Sequence, residues 1–283
     1  MLVSVIIPTY NRAEMLSKAI GSVLVQSHSC LELIVVDDGS TDQTRDILQG
    51  IADPRVCCLF QEHQGVAAAR NLGLEKASGD YIALLDSDDI WLPQKLSRQL
   101  EFTLQGGWMI TQTEELWFRK GVRVNPGLRH RKRAGWIFEP SLELCLVSPS
   151  CVLFRRSLWQ ELGGFDPRLL AAEDYDFWLR CSLRYAVGLC PQGLVHRYAG
   201  HADQLSSKLI GIDLYRIYSL LKIHKELRLS SRQLQLVQKA LQKKGRRYIQ
   251  GCLKRGKLEE AERVSGLIRQ KLQDVNPPEL PAC

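Results

Sequence analysis

The sequence predicts an α/β fold: a mostly parallel sheet flanked by helices, with an α-helical extension at the C-terminal end. Two observations predict it. Through residue 90, short β-branched runs alternate with segments of helical apolar spacing, the pattern of strands joined by crossover helices. From about residue 206 onward the chain becomes polar, basic and helical in period. A chain of 283 residues, 45% hydrophobic and 24% charged, has an ordinary globular composition, which excludes a disordered or collagen-like protein.

The elements follow in order. Residues 3–8 (VSVIIP) form a first buried strand, and 12–26 place Leu16, Ala19, Ile20 and Val23 on one helical face. Residues 31–36 (LELIVV) are a second strand, 41–51 a helix with Ser40 or Thr41 as its cap, 56–61 a short strand, 65–77 a helix and 81–85 a fourth strand. The next stretch is less regular: a helix over 93–105, a strand over 108–118, a basic loop to 133, a strand over 147–154, helices over 156–162 and 173–182, and a strand over 188–194. Helices over about 206–226, 230–254 and 257–272 complete the chain. The domain division this implies is 1–206, split at 90 into two halves, and 207–283.

Charge is unevenly placed. Residues 222–271 hold 15 Lys/Arg against 4 Asp/Glu, a local +11 that leaves −4 for the remainder of a +7 chain. A smaller cluster, Arg119, Lys120, Arg123, Arg129, Arg131, Lys132 and Arg133, has no acid between Glu115 and Glu139. Nine cysteines, with no C-x-x-C pair, read as reduced thiols in a cytoplasmic protein rather than a disulfide framework or zinc site. Residues 1–7 read as a strand, not a leader, and no apolar run reaches the about 18 residues that a span requires.

In parallel sheets ligands collect beyond the carboxyl ends of the strands. Three such positions carry suggestive residues: Pro8-Thr9-Tyr10-Asn11-Arg12, Asp37-Asp38-Gly39-Ser40 and Asp86-Ser87-Asp88-Asp89. An isolated Asp-Asp-Gly-Ser is as readily a turn. Clustered carboxylates repel unless a cation sits among them, and oxygen-only ligands suit Mg2+ or Mn2+ bridging to phosphates. In Gly65-Val66-Ala67-Ala68-Ala69-Arg70-Asn71 small residues let a helix N-terminus approach an anion, although simple helix packing explains that run equally well.

These blocks, with GGFDPRLLAAEDYDFWLR and YAGHADQLS further on, resemble glycosyltransferase family 2, the inverting nucleotide-sugar transferases of Rossmann-like GT-A fold, in order over residues 3–206. The resemblance implies a UDP-sugar or similar donor, with Pro8, Thr9, Tyr10, Arg12, Asp38, Arg70 and Asp86 in the donor pocket. Asp38 would bond the base and Arg70 would help to hold the diphosphate. It implies Asp88 and Asp86 as the D-x-D metal pair for Mn2+ or Mg2+, with His201 nearby and His196 a second candidate. Asp174 would be the catalytic base, with Glu173, Gly164 and Trp178 on the acceptor side. Trp91, Phe177 and Trp178 also read as core.

Such an enzyme would build a polysaccharide, lipopolysaccharide or other cell-envelope glycoconjugate on a glycan or lipid-linked acceptor. A non-catalytic nucleotide-sugar-binding module is the alternative. A dehydrogenase is disfavoured because no G-x-G-x-x-G follows the first strand. Nucleic-acid binding is not expected, since the basic helices lack any groove-reading motif. Those helices would pack on the catalytic domain or on a second copy in a homodimer. The sharper reading has Lys243, Lys244, Arg246, Arg247, Lys254, Arg255 and Lys257 resting on anionic lipid at the inner membrane face.

Overall fold

A computed structural model describes residues 1–200, 211–226 and 228–273. The chain divides into two compact units, residues 1–208 and 209–283.

In the first unit, β1 (Val3–Thr9), α1 (Ala13–Leu24), β2 (Leu31–Asp37), α2 (Thr44–Gln49), β3 (Val56–Phe60), α3 (Val66–Lys76) and β4 (Tyr81–Leu84) alternate as expected. They are followed by β5 (Ile90–Trp91), α4 (Lys95–Gln105), β6 (Ile110–Arg119), β7 (Val122–Val124), α5 (Phe138–Ser141), β8 (Val152–Arg155), α6 (Arg156–Leu162), α7 (Glu173–Ser182) and β9 (Val187–Ala199). The strands form one sheet in the order β3-β2-β1-β4-β8-β6-β9-β5, with β7 paired to β6.

Alternation along the strands feeds two cores, one on each face. Ile6, Ile34, Val36, Ile82 and Leu84 point to the side covered by α3 and α7. Val5, Ile7, Leu33, Val35, Ala83 and Leu85 point to the side covered by α1 and α4. The α3 helix lies close on β1 because Gly73 has no side chain; a Cβ there would stand 2.5 Å from Ile6 Cγ2.

The expectation of a mostly parallel sheet needs correction. β3, β2, β1 and β4 are parallel, but β8 runs antiparallel to both β4 and β6, β5 antiparallel to β9, and β6 parallel to β9. Alternation of side chains reports which face a residue takes, not which way its strand runs. β9 is also longer than expected, with register shifts around Glu114 that accommodate Pro191 at an unpaired point. The basic segment is not all loop. β6 and β7 form a hairpin whose tip, Lys120-Gly121, has positive φ at both residues (52° and 76°), the requirement of a tight two-residue turn.

The second unit contains α8 (Asp213–Glu226), α9 (Ser231–Lys254) and α10 (Leu258–Gln273). Ser230 and Gln233 form a reciprocal capping box at the start of α9. Val237, Leu241, Tyr248 and Cys252 are buried along one stripe. Lys244 is buried with them, so it leaves the set of lysines and arginines expected to face lipid. No helix among the described residues is long and apolar enough to cross a membrane.

Candidate active site

The first two sites lie side by side where β1 and β2 end. Asn11 takes a left-handed backbone (φ 51°), which turns its amide toward the β2 loop. Its Oδ1 accepts from Thr41 N at 2.7 Å, and its own N–H donates to Ser40 Oγ at 2.9 Å. Ser40 and Thr41 therefore tie two loops together instead of capping α2, whose first turn starts later, at Thr44. Arg12 is the residue before α1, and its N–H donates to Thr44 Oγ1 at 3.0 Å. Pro8 and Thr9 are buried in β1 opposite Val36 and Asp37.

Asp38 is buried, and both of its carboxylate oxygens are occupied. Oδ1 accepts from Gln61 Nε2 (2.6 Å) and Gln64 N (2.9 Å); Oδ2 accepts from Gly65 N (2.8 Å) and lies 2.8 Å from His63 Nδ1. Within the chain these contacts give Asp38 a structural role. Its carboxylate meets the N-terminus of α3, where free N–H groups and the dipole favour a negative charge, and organises the 61–65 loop. That loop places His63 in a stack on Tyr10, ring centroids 4.0 Å apart. A cleft of about 550 Å3 opens here, lined by Ser40, Arg45, Phe60, Gln61 and His63, with Arg45 4.9 Å above the Phe60 ring. Its planar walls have the shape and chemistry for a heterocyclic base. Sequence reasoning passed over Gln61 and His63, although they stand beyond the carboxyl end of β3.

The D-x-D turn is held from behind by one hydroxyl. Ser150 Oγ accepts from Asp86 N at 3.1 Å and donates to Asp89 Oδ2 at 2.5 Å, while Asp89 Oδ1 accepts from Tyr198 N at 3.0 Å. Asp89 is buried, and burial, with the charges of Asp88 and Asp86, pushes its carboxyl well above the ordinary carboxylate range. Trp91 Nε1 donates to Ser150 O at 2.8 Å, and Lys95 Nζ sits 3.7 Å from the Trp91 ring and 3.2 Å from Val152 O. Burial brings the Lys95 ammonium down to about 7.

Arg70 is the central cation. It is 3% exposed; NH2 pairs with Asp86 Oδ1 at 2.8 Å and NH1 with Glu173 Oε1 at 2.5 Å. Burial alone would lower its pKa, but the charges of Asp86, Glu173 and Asp174 together raise it. Glu173 is nonetheless pushed up to about 7, because burial and the neighbouring Asp174 outweigh an arginine shared among three acids. Asp174 stands in the first turn of α7, where Oδ1 accepts from Tyr175 N at 2.7 Å and Oδ2 from Cys145 Sγ at 3.5 Å. Arg70 thus joins the loop after β4 to the start of α7.

The other acceptor-side expectations fare differently. Trp178 is 2% exposed and packs edge-on against Phe177, Phe165 and Phe154, so it belongs to the core. Gly164 lies in a turn that Asn71 reads through both Phe165 N and Phe165 O at 2.8 Å; a Cβ on Gly164 would meet Asn71 Oδ1 at 2.4 Å. Phe177 is core and Trp91 is a buried support, while His196, on β9, packs against Phe118 of β6. His201 lies outside the described residues.

A second charged group, missed in the sequence, lies on β6 and β9. The Glu115 side chain, 5% exposed, has Lys132 Nζ at 3.5 Å and Arg197 NH1 at 3.4 Å, and accepts from Trp117 Nε1 at 2.9 Å. Burial would raise its pKa, but Lys132 and Arg197 hold it down at about 2. For a metal, Asp86 and Asp88 offer oxygen donors only, and no group of three or more potential His, Cys, Asp or Glu ligands occurs among the described residues. Mg2+ and Mn2+ take one or two carboxylates and complete their shell with water and substrate phosphates, so this pair fits a cation that arrives with a diphosphate.

The structure is an α/β domain with a half-parallel sheet, an aromatic cleft at one strand end and an acid-rich turn at another, the place where ligands of such sheets collect. The family described as Glycosyl transferase family 2 matches residues 4–163, more than half of the chain, and the chain belongs to it. An uncharacterized glycosyltransferase of Rickettsia bellii is 33% identical over 187 residues, 66% of this chain and 27% of its own length. The chain therefore spans about a quarter of that relative. S. aureus TarS 1-349 in complex with UDP-GlcNAc shares the fold at TM-score 0.67 and 18% identity, over 95% of this chain and 92% of that one. The mannosyltransferase PcManGT from Pyrobaculum calidifontis, in complex with GDP-Man and Mn2+, does so at TM-score 0.64 and 16% identity, over 97% and 88%.

Proposed function

We propose that the chain is an inverting glycosyltransferase that moves a sugar from a nucleotide-diphospho-sugar, a UDP-sugar first among them, to an acceptor hydroxyl during glycoconjugate assembly at the cytoplasmic side. The observation that carries this reading is Asp174. Its carboxylate is held at the start of α7 by one backbone N–H and one thiol, beside the Arg70 link to the D-x-D turn. The structures of TarS with UDP-GlcNAc and of PcManGT with GDP-Man and Mn2+ support a nucleotide-sugar donor.

In the proposed reaction the base lies in the cleft lined by Ser40, Phe60, Gln61 and His63, and the diphosphate lies over the D-x-D turn. The acceptor oxygen attacks the anomeric carbon as the bond to the diphosphate oxygen breaks; the hydroxyl proton passes to Asp174, and the electron pair leaves with the nucleoside diphosphate. A divalent cation held by Asp86 and Asp88 would neutralise charge growing on that leaving group. A single displacement inverts the centre and needs one base. Arg70 keeps Asp86 and Glu173 fixed, so Asp174 is presented from a rigid turn. The basic face of the helical unit, less Lys244, would rest on anionic lipid, which flotation with anionic vesicles at low salt tests.

The test is Asp174→Asn. Transfer should fall by about 100-fold or more, the ordinary worth of a general base, while nucleotide-sugar binding measured by calorimetry stays within a factor of about two. Turnover like that of the wild type would remove Asp174 from the role of base.

A further inference from the structure

The rim of this site carries a charge pattern that sugar transfer as such does not use. Seven Lys and Arg, and no Asp or Glu, lie between Glu115 and Glu139. Six of them, Arg119, Lys120, Arg123, Arg129, Arg131 and Arg133, are exposed, and none is ion-paired to a carboxylate among the described residues. An exposed basic run is usually no more than a solvated surface. This one is anchored.

The seventh cation, Lys132, is buried against Glu115, which Arg197 approaches from its other oxygen. Gln112 Nε2 holds the Arg133 carbonyl at 3.0 Å, and Gly135 exchanges two backbone hydrogen bonds with Val187, at 2.8 and 2.9 Å. The root of the segment therefore has a fixed place, and that place is behind the D-x-D turn: Glu115 Oε2 also accepts from Cys151 Sγ at 3.0 Å, one residue beyond the Ser150 that holds Asp86 and Asp89. Lys132 and Asp174 act in opposite senses on the same Cys145 thiol, whose Sγ is 3.5 Å from Asp174 Oδ2. At the other end, Arg197 feels the charges of Asp89 and Asp86. Lys132 and Arg197, paired to Glu115, thus stand close to the acid-rich turn, where Tyr198 N, the next residue after Arg197, donates to Asp89.

A site that gathers Asp86, Asp88, Glu173 and Asp174, and is proposed to take a diphosphate as well, repels a second anion. A neutral acceptor needs no compensation; an anionic one does. Trp136 and Leu128, 69% and 90% exposed on the same segment, add apolar surface suited to the carbon faces of a sugar or polyol.

We infer that the acceptor is a phosphate-bearing glycan or polyol chain, gripped through its phosphodiesters by Arg129, Arg131 and Arg133 while the neighbouring hydroxyl faces Asp174. This inference rests on the transferase reading above and names its acceptor class.

The test uses the full chain and the triple variant Arg129→Ser/Arg131→Ser/Arg133→Ser, with a labelled synthetic glycerol-phosphate hexamer followed by fluorescence anisotropy. Nucleotide-sugar thermal shift is measured on both proteins. The hexamer should bind the wild type, weaken as salt is raised, resist displacement by neutral maltohexaose, and bind the variant about tenfold more weakly. The donor shift should be the same in both. Equal hexamer affinity in the two proteins, or displacement by maltohexaose, overturns the acceptor class. Absence of any nucleotide-sugar shift in the wild type overturns the transferase reading itself, and with it the assignment of this rim to an acceptor, whatever the hexamer does.

Discussion

Arg70 illustrates how much one buried side chain can decide. A cation removed from water is tolerated only if its partners are close, and Arg70 has Asp86 and Glu173 at ion-pair distance. Arg70→Met leaves those acids without their common cation, and urea denaturation should show a loss of about 3–5 kcal/mol. Arg70→Lys keeps the charge but not the planar fork that reaches both acids, so it should fall between the two. A loss under about 1 kcal/mol for the methionine variant would mean that the acids are not truly desolvated. Ser150 is a smaller version of the same logic. Ser150→Ala leaves buried Asp89 short of a donor and frees Asp86 N, at a cost of about 1–3 kcal/mol, readable in the same experiment.

At the level of elements, α4 is tied to the sheet by Lys95, buried over Trp91 with no carboxylate at ion-pair distance among the described residues. The ammonium titrates at about 7 in the folded chain against a model-compound 10.5, because burial penalises its charge. Between these values the unfolded chain binds more protons, so stability rises with pH across that window, by up to about 1.4 kcal/mol per pH unit from this group. Below 7 its cost is fully expressed. Lys95→Met should therefore be more stable than the wild type near neutrality, and the advantage should shrink toward pH 10.5; denaturation at several pH values would show it. An advantage independent of pH would point to packing alone.

The first four strands were legible because helices separate them and β1, β2 and β4 are buried on both faces, so apolar runs and helical spacing alternate cleanly, while the half-exposed edge strand β3 shows only as a short run. β8, β6 and β9 were legible as strands but not in direction, and the two-residue β5 is too short to leave a pattern. Among candidate site residues, Asp86 and Asp88 stand out at a strand end and Asp174 through the family resemblance alone. Gln61 and His63 obey the same strand-end rule and could have been found by applying it to β3. Glu115, Arg197 and Ser150 could not, since each becomes significant only when distant strands pair.

For the whole molecule the proposed chemistry makes a simple demand. A nucleotide-sugar that binds the folded chain alone, at about 100 times its Kd, adds about 2.7 kcal/mol and should raise the Tm by a few degrees with Mn2+ present. Chelation of the metal should abolish most of the shift. A full shift without metal would remove the cation from donor binding, although not from the reaction.

The reversal of strand direction between β4 and β8 also matters for how this protein can change. An antiparallel neighbour presents its beginning where a parallel one presents its end, so the turn that enters β8 lies beside the turn that leaves β4. Two loops distant in the sequence therefore meet at the same point, and they lie on opposite sides of the long stretch in between. Within it β6 is paired to both β8 and β9, so only the exposed run beyond β6, residues 120–131, can be lengthened, shortened or exchanged while both ends stay fastened. Exchange of residues 120–131 would then alter the surface proposed for the acceptor and leave the strand ends proposed for the donor as they were.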